Sequence, residues 1–181
     1  MKLWEKNIRK VEPYVPGEQP QISNVIKLNT NENPYPPAPG VADVLDNNMV
    51  ERLRLYPDPA ARKLVRAIAD YQKLDEDQVF VGVGSDDVLA MAFLTFFNSD
   101  KSILFPDITY SFYDVWANLF KVPYKQPELD DNFKIQKEDY CIENGGIILA
   151  NPNAPTSIYE DLDSIKYILD RNQESIVIID E

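Results

Sequence analysis

From about residue 78 onward the hydrophobic residues follow two alternating rhythms. Ile147-Ile148-Leu149-Ala150 and Ile176-Val177-Ile178-Ile179 are unbroken apolar runs of strand length, the pattern of strands buried on both faces. Residues 78–82 and 102–105 read as further strands, and 122–125 as a short one. Helical spacing fills the gaps. Residues 85–97 are apolar nearly all round, which predicts a buried helix, and 110–120 form the next. Residues 161–171 place Leu162, Ile165, Ile168 and Leu169 on one face. Strands alternating with helices predict the α/β class, with a mostly parallel sheet flanked by helices.

The first part of the chain has a different character. Pro13, Pro16, Pro20, Pro34, Pro36, Pro37 and Pro39 forbid a long helix. A short helix over residues 2–9 is compatible with them, and the rest of 1–40 reads as an N-terminal arm. Val41, Val44, Leu45 and Met49 then suggest one helical face, which Tyr56-Pro57-Asp58-Pro59 interrupts. Leu64, Val65, Ile68 and Tyr71 mark a second amphipathic helix. The expected division is an arm at 1–40 and, at 41–181, the first part of an α/β domain.

Composition removes several function classes. Among 181 residues, 18 Lys and Arg face 30 Asp and Glu, a net charge of −12. Neither a nucleic acid nor an anionic membrane is the expected partner of such a surface. There is no His and a single Cys, Cys141. That removes most metal chemistry that uses nitrogen or sulfur ligands, and leaves no Ser-His-Asp or Cys-His chemistry. A lone Cys forms no internal disulfide, which fits a reducing cytoplasm. No apolar run approaches the length of a membrane span, and residues 1–10 lack a signal-peptide core. The chain closes on an apolar strand followed by Asp180 and Glu181. In open α/β sheets that end of a strand is where ligands bind, so the sequence is expected to be the N-terminal part of a longer protein.

Candidate chemistry gathers at predicted strand ends. Gly82-Val83-Gly84-Ser85-Asp86-Asp87 joins a strand to a helix. The free N–H groups of a first helical turn can cradle a phosphate, with Ser85 as N-cap. The same residues also make an ordinary capped turn with acids at a helix start. Asp87 stands where a dinucleotide fingerprint needs its third Gly, and no Gly-Lys-Ser/Thr occurs anywhere. Asp180-Glu181 after four apolar residues resembles the acidic strand of a nucleotide-hydrolysing site, but without a phosphate-loop Lys. Asp180 can equally pair with a ligand cation or simply end a strand. Asn151-Pro152-Asn153-Ala154-Pro155-Thr156-Ser157 is a rigid turn whose Asn side chains can meet a ligand. In Asp107-Ile108-Thr109-Tyr110, the aromatic ring can stack on a flat ligand or fill the core. Leu28-Asn29-Thr30-Asn31-Glu32-Asn33-Pro34 is locally a turn-rich loop.

The order of these segments is more specific than any one of them. Together with Arg54-Leu55-Tyr56-Pro57-Asp58, the series resembles the fold-type I pyridoxal-phosphate aminotransferases over nearly the whole chain from Leu28. Within them it is most similar to the histidinol-phosphate aminotransferases. The resemblance implies pyridoxal 5′-phosphate as cofactor and Gly84, Ser85 and Asp86 as the turn that holds its phosphate. It implies Tyr110 stacked on the pyridine ring and Asp180 paired with the protonated ring nitrogen. Asn153 is matched to the group that bonds the 3′ oxygen. Tyr56 is matched to a residue reaching the cofactor phosphate of a neighbouring subunit, which implies a homodimer. Asn31 and Glu32 are matched to the segment lining the substrate site. The implied reaction moves the amino group of histidinol phosphate to 2-oxoglutarate in histidine biosynthesis. Another class I/II aminotransferase or a threonine-phosphate decarboxylase are alternatives, and a non-catalytic binding or dimerisation module is the rival of another class.

The sequence departs from the family pattern at two places. Ala154 precedes Pro155-Thr156, so the Asn stands one place early, and Ser157 replaces the usual Gly. The Schiff-base Lys of the family lies downstream of the strand carrying Asp180. No catalytic residue is therefore assigned within this chain, which is expected to be inactive alone.

Overall fold

The computed structural model describes residues 3–15, 17–18, 24–29, 32–45 and 47–181. The chain forms two compact units: residues 15–81, and residues 82–181 together with the segment up to Tyr14.

Among the described residues, the smaller unit contains the helices α1 (Gly40–Val44), α2 (Asn47–Arg52) and α3 (Arg62–Gln72). The face predicted across Val41 to Met49 is thus split between two short helices. Helix α3 matches the second amphipathic stretch. It is followed by Lys73 in the left-handed conformation, whose N–H returns to the Ala69 carbonyl. A 3₁₀ turn at Glu76–Gln78 follows. Residues 78–82 were expected to be a strand and are not one. Val79 is extended (φ −117°, ψ 120°), but an extended segment becomes a strand only with a ladder partner, and none pairs with it among the described residues.

The larger unit is built on a parallel sheet. Its strands are β1 (Ile103–Leu104), β2 (Tyr124–Lys125), β3 (Ile147–Ala150) and β4 (Val177–Asp180), in the order β2-β1-β3-β4. Every pairing is parallel, and β3 and β4 are in register from Ile147↔Val177 to Ala150↔Asp180. Helices α4 (Ser85–Phe96), α5 (Phe112–Phe120) and α6 (Leu162–Arg171) cover it. A short 3₁₀ segment at Leu3–Asn7 replaces the helix expected at 2–9.

Period-two geometry divides the core into two layers. Ile103, Phe105, Ile148 and Ala150 point to one face, where they meet Leu89 and Phe93 of α4 and Tyr113 and Ala117 of α5. Leu104, Ile147 and Leu149 point to the other, against Ile165 and Ile168 of α6 and Tyr140. Each fully buried Ile, Leu or Phe here contributes roughly 1.5–3 kcal/mol. Asp161 caps α6, its Oδ1 accepting the Ser164 N–H at 2.7 Å. Leu162 and Leu169 belong to the predicted apolar face of α6 but remain exposed. Helix α4 was expected to be buried, yet only Leu89 and Phe93 are, and Met91, Leu94 and Phe96 face outward.

Candidate active site

The strand order contains a reversal. From β1 the chain crosses to β2 on one side of the sheet, and from β3 it crosses to β4 on the other. Loops leaving the carboxyl ends of β1 and β3 therefore diverge and open a crevice, the usual ligand position in such sheets. The loop after β1 carries Thr109 and Tyr110, the loop after β3 carries Asn151 and Asn153, and β4 ends at Asp180.

The turn at Gly84 meets this end of the sheet. Gly84 has φ +94°, a conformation that only Gly adopts without strain, and a Cβ there would meet nothing within 4 Å. The first i→i−4 bond of α4 is Val88 N–H to the Gly84 carbonyl at 3.2 Å. The N–H groups of Ser85, Asp86 and Asp87 thus precede the helical ladder, at the positive end of the helix. Ser85 was expected as N-cap, but Gly84 occupies that position and Ser85 is the first helical residue, with no side-chain cap. Asp87 does the local bracing, its Oδ2 accepting the Val83 N–H at 3.1 Å.

Two tyrosines connect the remaining groups. The Tyr110 hydroxyl donates to Oδ1 of Asp86 at 2.9 Å. Its ring stands nearly perpendicular to that of Tyr113, with centroids 5.7 Å apart. The Tyr113 hydroxyl donates to Oδ2 of Asp180 at 2.7 Å. Phe112 backs Tyr110 at 5.6 Å and is itself stacked on Tyr14 at 4.4 Å. Burial, then the bond to the carboxylate, pushes the Tyr113 phenol far above its ordinary value, and the same two causes raise Tyr110. Both phenols therefore remain protonated donors. Neither Asp86 nor Asp180 takes part in an ion pair among the described residues. Two carboxylates at one crevice without a protein cation form an electrostatic receptor for a cationic ligand group.

Asn153 is buried and fully engaged. Its Nδ2 donates to the Ile108 carbonyl at 2.9 Å and to Thr156 Oγ1 at 3.1 Å, while Oδ1 accepts the Thr109 hydroxyl at 2.7 Å. Both amide hydrogens are thus held by protein acceptors. Asn151 pairs with the backbone of Glu160 in both directions, at 3.1 and 2.9 Å. Ser157, in place of the usual Gly, accepts a left-handed φ of +60° and donates its N–H to the Asn153 carbonyl.

The structure thus brings together Gly84, Ser85, Asp86, Tyr110, Asn153 and Asp180 within the larger unit. Tyr56 and Glu32 belong to the smaller one: Tyr56 is fully exposed, and Glu32 pairs with Lys27. Asn31 lies outside the described residues. No group of three or more acidic or Cys side chains fit to hold a metal occurs among the described residues, nor does a helix long and apolar enough to cross a membrane. Sequence reasoning missed Tyr113. Its signal was the i, i+3 spacing from Tyr110 at the start of the helix predicted over 110–120, although in the structure Tyr110 precedes α5 and only Tyr113 lies on it.

The model of the family "Aminotransferase class I and II" matches residues 23–181. The histidinol-phosphate aminotransferase of Clostridium beijerinckii is 51% identical over 180 residues, covering 99% of this chain and 50% of that protein. The namesake from Acinetobacter baylyi is 55% identical, covering 100% and 51%. The chain spans about half the length of these relatives. Among solved structures, the histidinol-phosphate aminotransferase of Clostridium acetobutylicum superposes with TM-score 0.68 at 25% identity, over 78% of this chain and 42% of that one. The aminotransferase AspB of Helicobacter pylori gives 0.63 at 24%, over 83% and 44%. On the matched family model and on the identity to these relatives, the chain belongs to the class I and II aminotransferases.

Proposed function

We propose that this chain supplies the cofactor-binding half of a pyridoxal-phosphate enzyme that transfers the amino group of histidinol phosphate to 2-oxoglutarate in histidine biosynthesis. The observation that carries the reading is the convergence of three complementary groups on one crevice. An anion receptor at the start of α4, an aromatic face at Tyr110 and an unneutralised carboxylate at Asp180 match the phosphate, the ring and the protonated nitrogen of that cofactor. The names of the relatives at 51% and 55% identity support the substrate.

The fit is chemical at each contact. The N–H groups of Ser85 and Asp86 donate to phosphate oxygens, with Gly84 leaving open space for their approach. Tyr110 offers its ring face, and its hydroxyl keeps the Asp86 carboxylate turned toward the tyrosine. Asp180 has one oxygen held by Tyr113, which leaves Oδ1 to retain a proton on a ring nitrogen. When bound, the cofactor supplies an electron-poor ring that withdraws charge from the substrate carbon. The amide of Asn153 reaches the 3′ oxygen only by giving up one of its present acceptors; as the structure stands it fixes the loop that carries Tyr110. In the proposed homodimer Tyr56 reaches the cofactor phosphate of the neighbouring subunit, and its full exposure supports that role. Asn31 and Glu32 are proposed to line the substrate site. The proposed domain division is an arm at residues 1–40 followed by the first part of the large domain, and the proposed location is the cytoplasm.

The test expresses the complete reading frame, supplies pyridoxal phosphate and measures glutamate formed from histidinol phosphate and 2-oxoglutarate. Saturable glutamate formation supports the reading. Turnover of aromatic or acidic amino donors with none of histidinol phosphate overturns the substrate, as does carbon dioxide released from threonine phosphate. Failure to retain any cofactor returns the chain to a non-catalytic binding module.

A further inference from the structure

We infer that Tyr113 is a positioning residue for the cofactor ring: its hydroxyl fixes the Asp180 carboxylate so that a single oxygen, Oδ1, meets the ring nitrogen. The inference rests on the reading of the crevice as a pyridoxal-phosphate site.

The geometry carries it. Tyr113 is completely buried, with Ile103, Phe105, Ala117 and Ile148 in the same core cluster. Its ring is held edge-on by Phe105 at 5.9 Å and by Tyr110 at 5.7 Å. A phenol so confined cannot swing away, so its hydroxyl is a fixed donor 2.7 Å from Oδ2. Hydrogen bonds to a charged acceptor are short and strong. Asp180 sits at the last position of an edge strand, partly exposed, where a carboxylate without a partner samples several rotamers. Tying one oxygen converts that mobile group into a single-site receptor. Tyr113 touches no ligand group itself; it acts through Asp180. One short segment thereby sets two contacts, since Tyr110, just before α5, offers the ring face and Tyr113, in the first turn of α5, sets the orientation of the carboxylate.

The experiment compares two probes in the complete protein: pyridoxamine 5′-phosphate, and its analogue with carbon in place of the ring nitrogen. Dissociation constants are read by fluorescence or calorimetry. Wild type is expected to prefer the nitrogen-bearing ring. In Tyr113→Phe that preference falls about tenfold, the size of one charge-assisted bond, while affinity for the carbon analogue stays within about twofold. A loss shared equally by both probes marks a merely structural role and overturns the inference, as does an unchanged preference. Should the Phe variant fail to fold, 3-fluorotyrosine at position 113 keeps the hydroxyl and gives a second readout. Its ¹⁹F resonance must move further with the nitrogen-bearing probe than with the carbon analogue; equal shifts overturn the proposal. Wild-type protein that binds neither probe sinks the cofactor reading itself, which separates the two failures.

Discussion

The hydroxyl of Thr109 donates to Oδ1 of Asn153 at 2.7 Å and ties together the two loops that leave the centre of the sheet in opposite directions. With the Asn153 amide on the Ile108 carbonyl, one side chain holds the crevice at a fixed width. The residues proposed to contact the cofactor, in the loops after β1 and β3 and at the end of β4, are thus referenced to a common frame.

Asn153→Asp is expected to break that frame. The substitution replaces two donated bonds by a carboxylate facing the Ile108 carbonyl and the Thr156 hydroxyl in a buried site. A buried acceptor without a donor costs about 1–3 kcal/mol, more when charged. Urea unfolding of the purified protein is expected to show a loss of about 3 kcal/mol at neutral pH, with part regained in acid. A loss below about 0.5 kcal/mol would mean the network is not formed.

Gly84→Ala and Gly82→Ala are expected to act by different physics. At Gly84 the added methyl meets nothing, so the cost is the positive-φ backbone alone, about 1–3 kcal/mol. Phosphate affinity falls with it, because the N–H groups of the turn rotate. At Gly82 the methyl comes within 2.8 Å of Val88 Cγ2 and 2.9 Å of Asp87 Oδ2. That pushes out the carboxylate bracing Val83. Inorganic phosphate titration with thermal melting separates the pair: identical profiles for both variants refute the distinction.

Glu160→Gln is expected to flatten a pH dependence. Burial is the largest influence on Glu160 and raises its carboxyl above the ordinary glutamate value. The folded state therefore binds the proton more tightly than the unfolded chain. The resulting stability is fully present below the unfolded value and is lost as pH rises through the raised folded one. Gln keeps an oxygen for the Ile135 N–H. Unfolding free energies from about pH 4 to about pH 8 should fall less steeply in the variant. An unchanged slope contradicts the assignment.

Tyr56→Phe in the complete protein is expected to weaken retention of pyridoxal phosphate about tenfold, the size of one hydrogen bond to a charged group, without shifting the melting temperature of the cofactor-free form. The side chain is fully exposed, so removing its hydroxyl disturbs no packing. Equal retention after dialysis removes Tyr56 from the site.

Much of this was written locally in the sequence. Strand β3 and helix α6 emerged almost residue for residue, because Ile147–Ala150 is apolar on both faces and Asp161 signals a helix start. Tyr110 and Asp180 were legible as positions because ligands bind where strands end, and Gly84 because it precedes a helix start, although no strand leads into it. The segment at 78–82 was misread because extended propensity says nothing about whether a partner strand exists. Helix α4 was misread because apolar composition on all sides does not reveal which side is covered. Tyr113 was hidden because a Tyr inside an apolar helix looks like core, and its partner lies far along the chain. The engagement of Asn153 was equally invisible: two of its three partners, Ile108 and Thr109, are 45 and 44 residues away.

The bond between Tyr113 and Asp180 spans 67 residues. The β3–α6–β4 unit can assemble from neighbouring segments, and so can α5 with β1 and β2. Their junction requires a long loop to close, which is entropically slow. The crevice is therefore completed only when the two halves of the sheet have docked. A chain stalled before that step would keep its helices and most of its ladders yet present an unordered Asp180, so competence to bind follows the last long-range closure and not the gain of secondary structure.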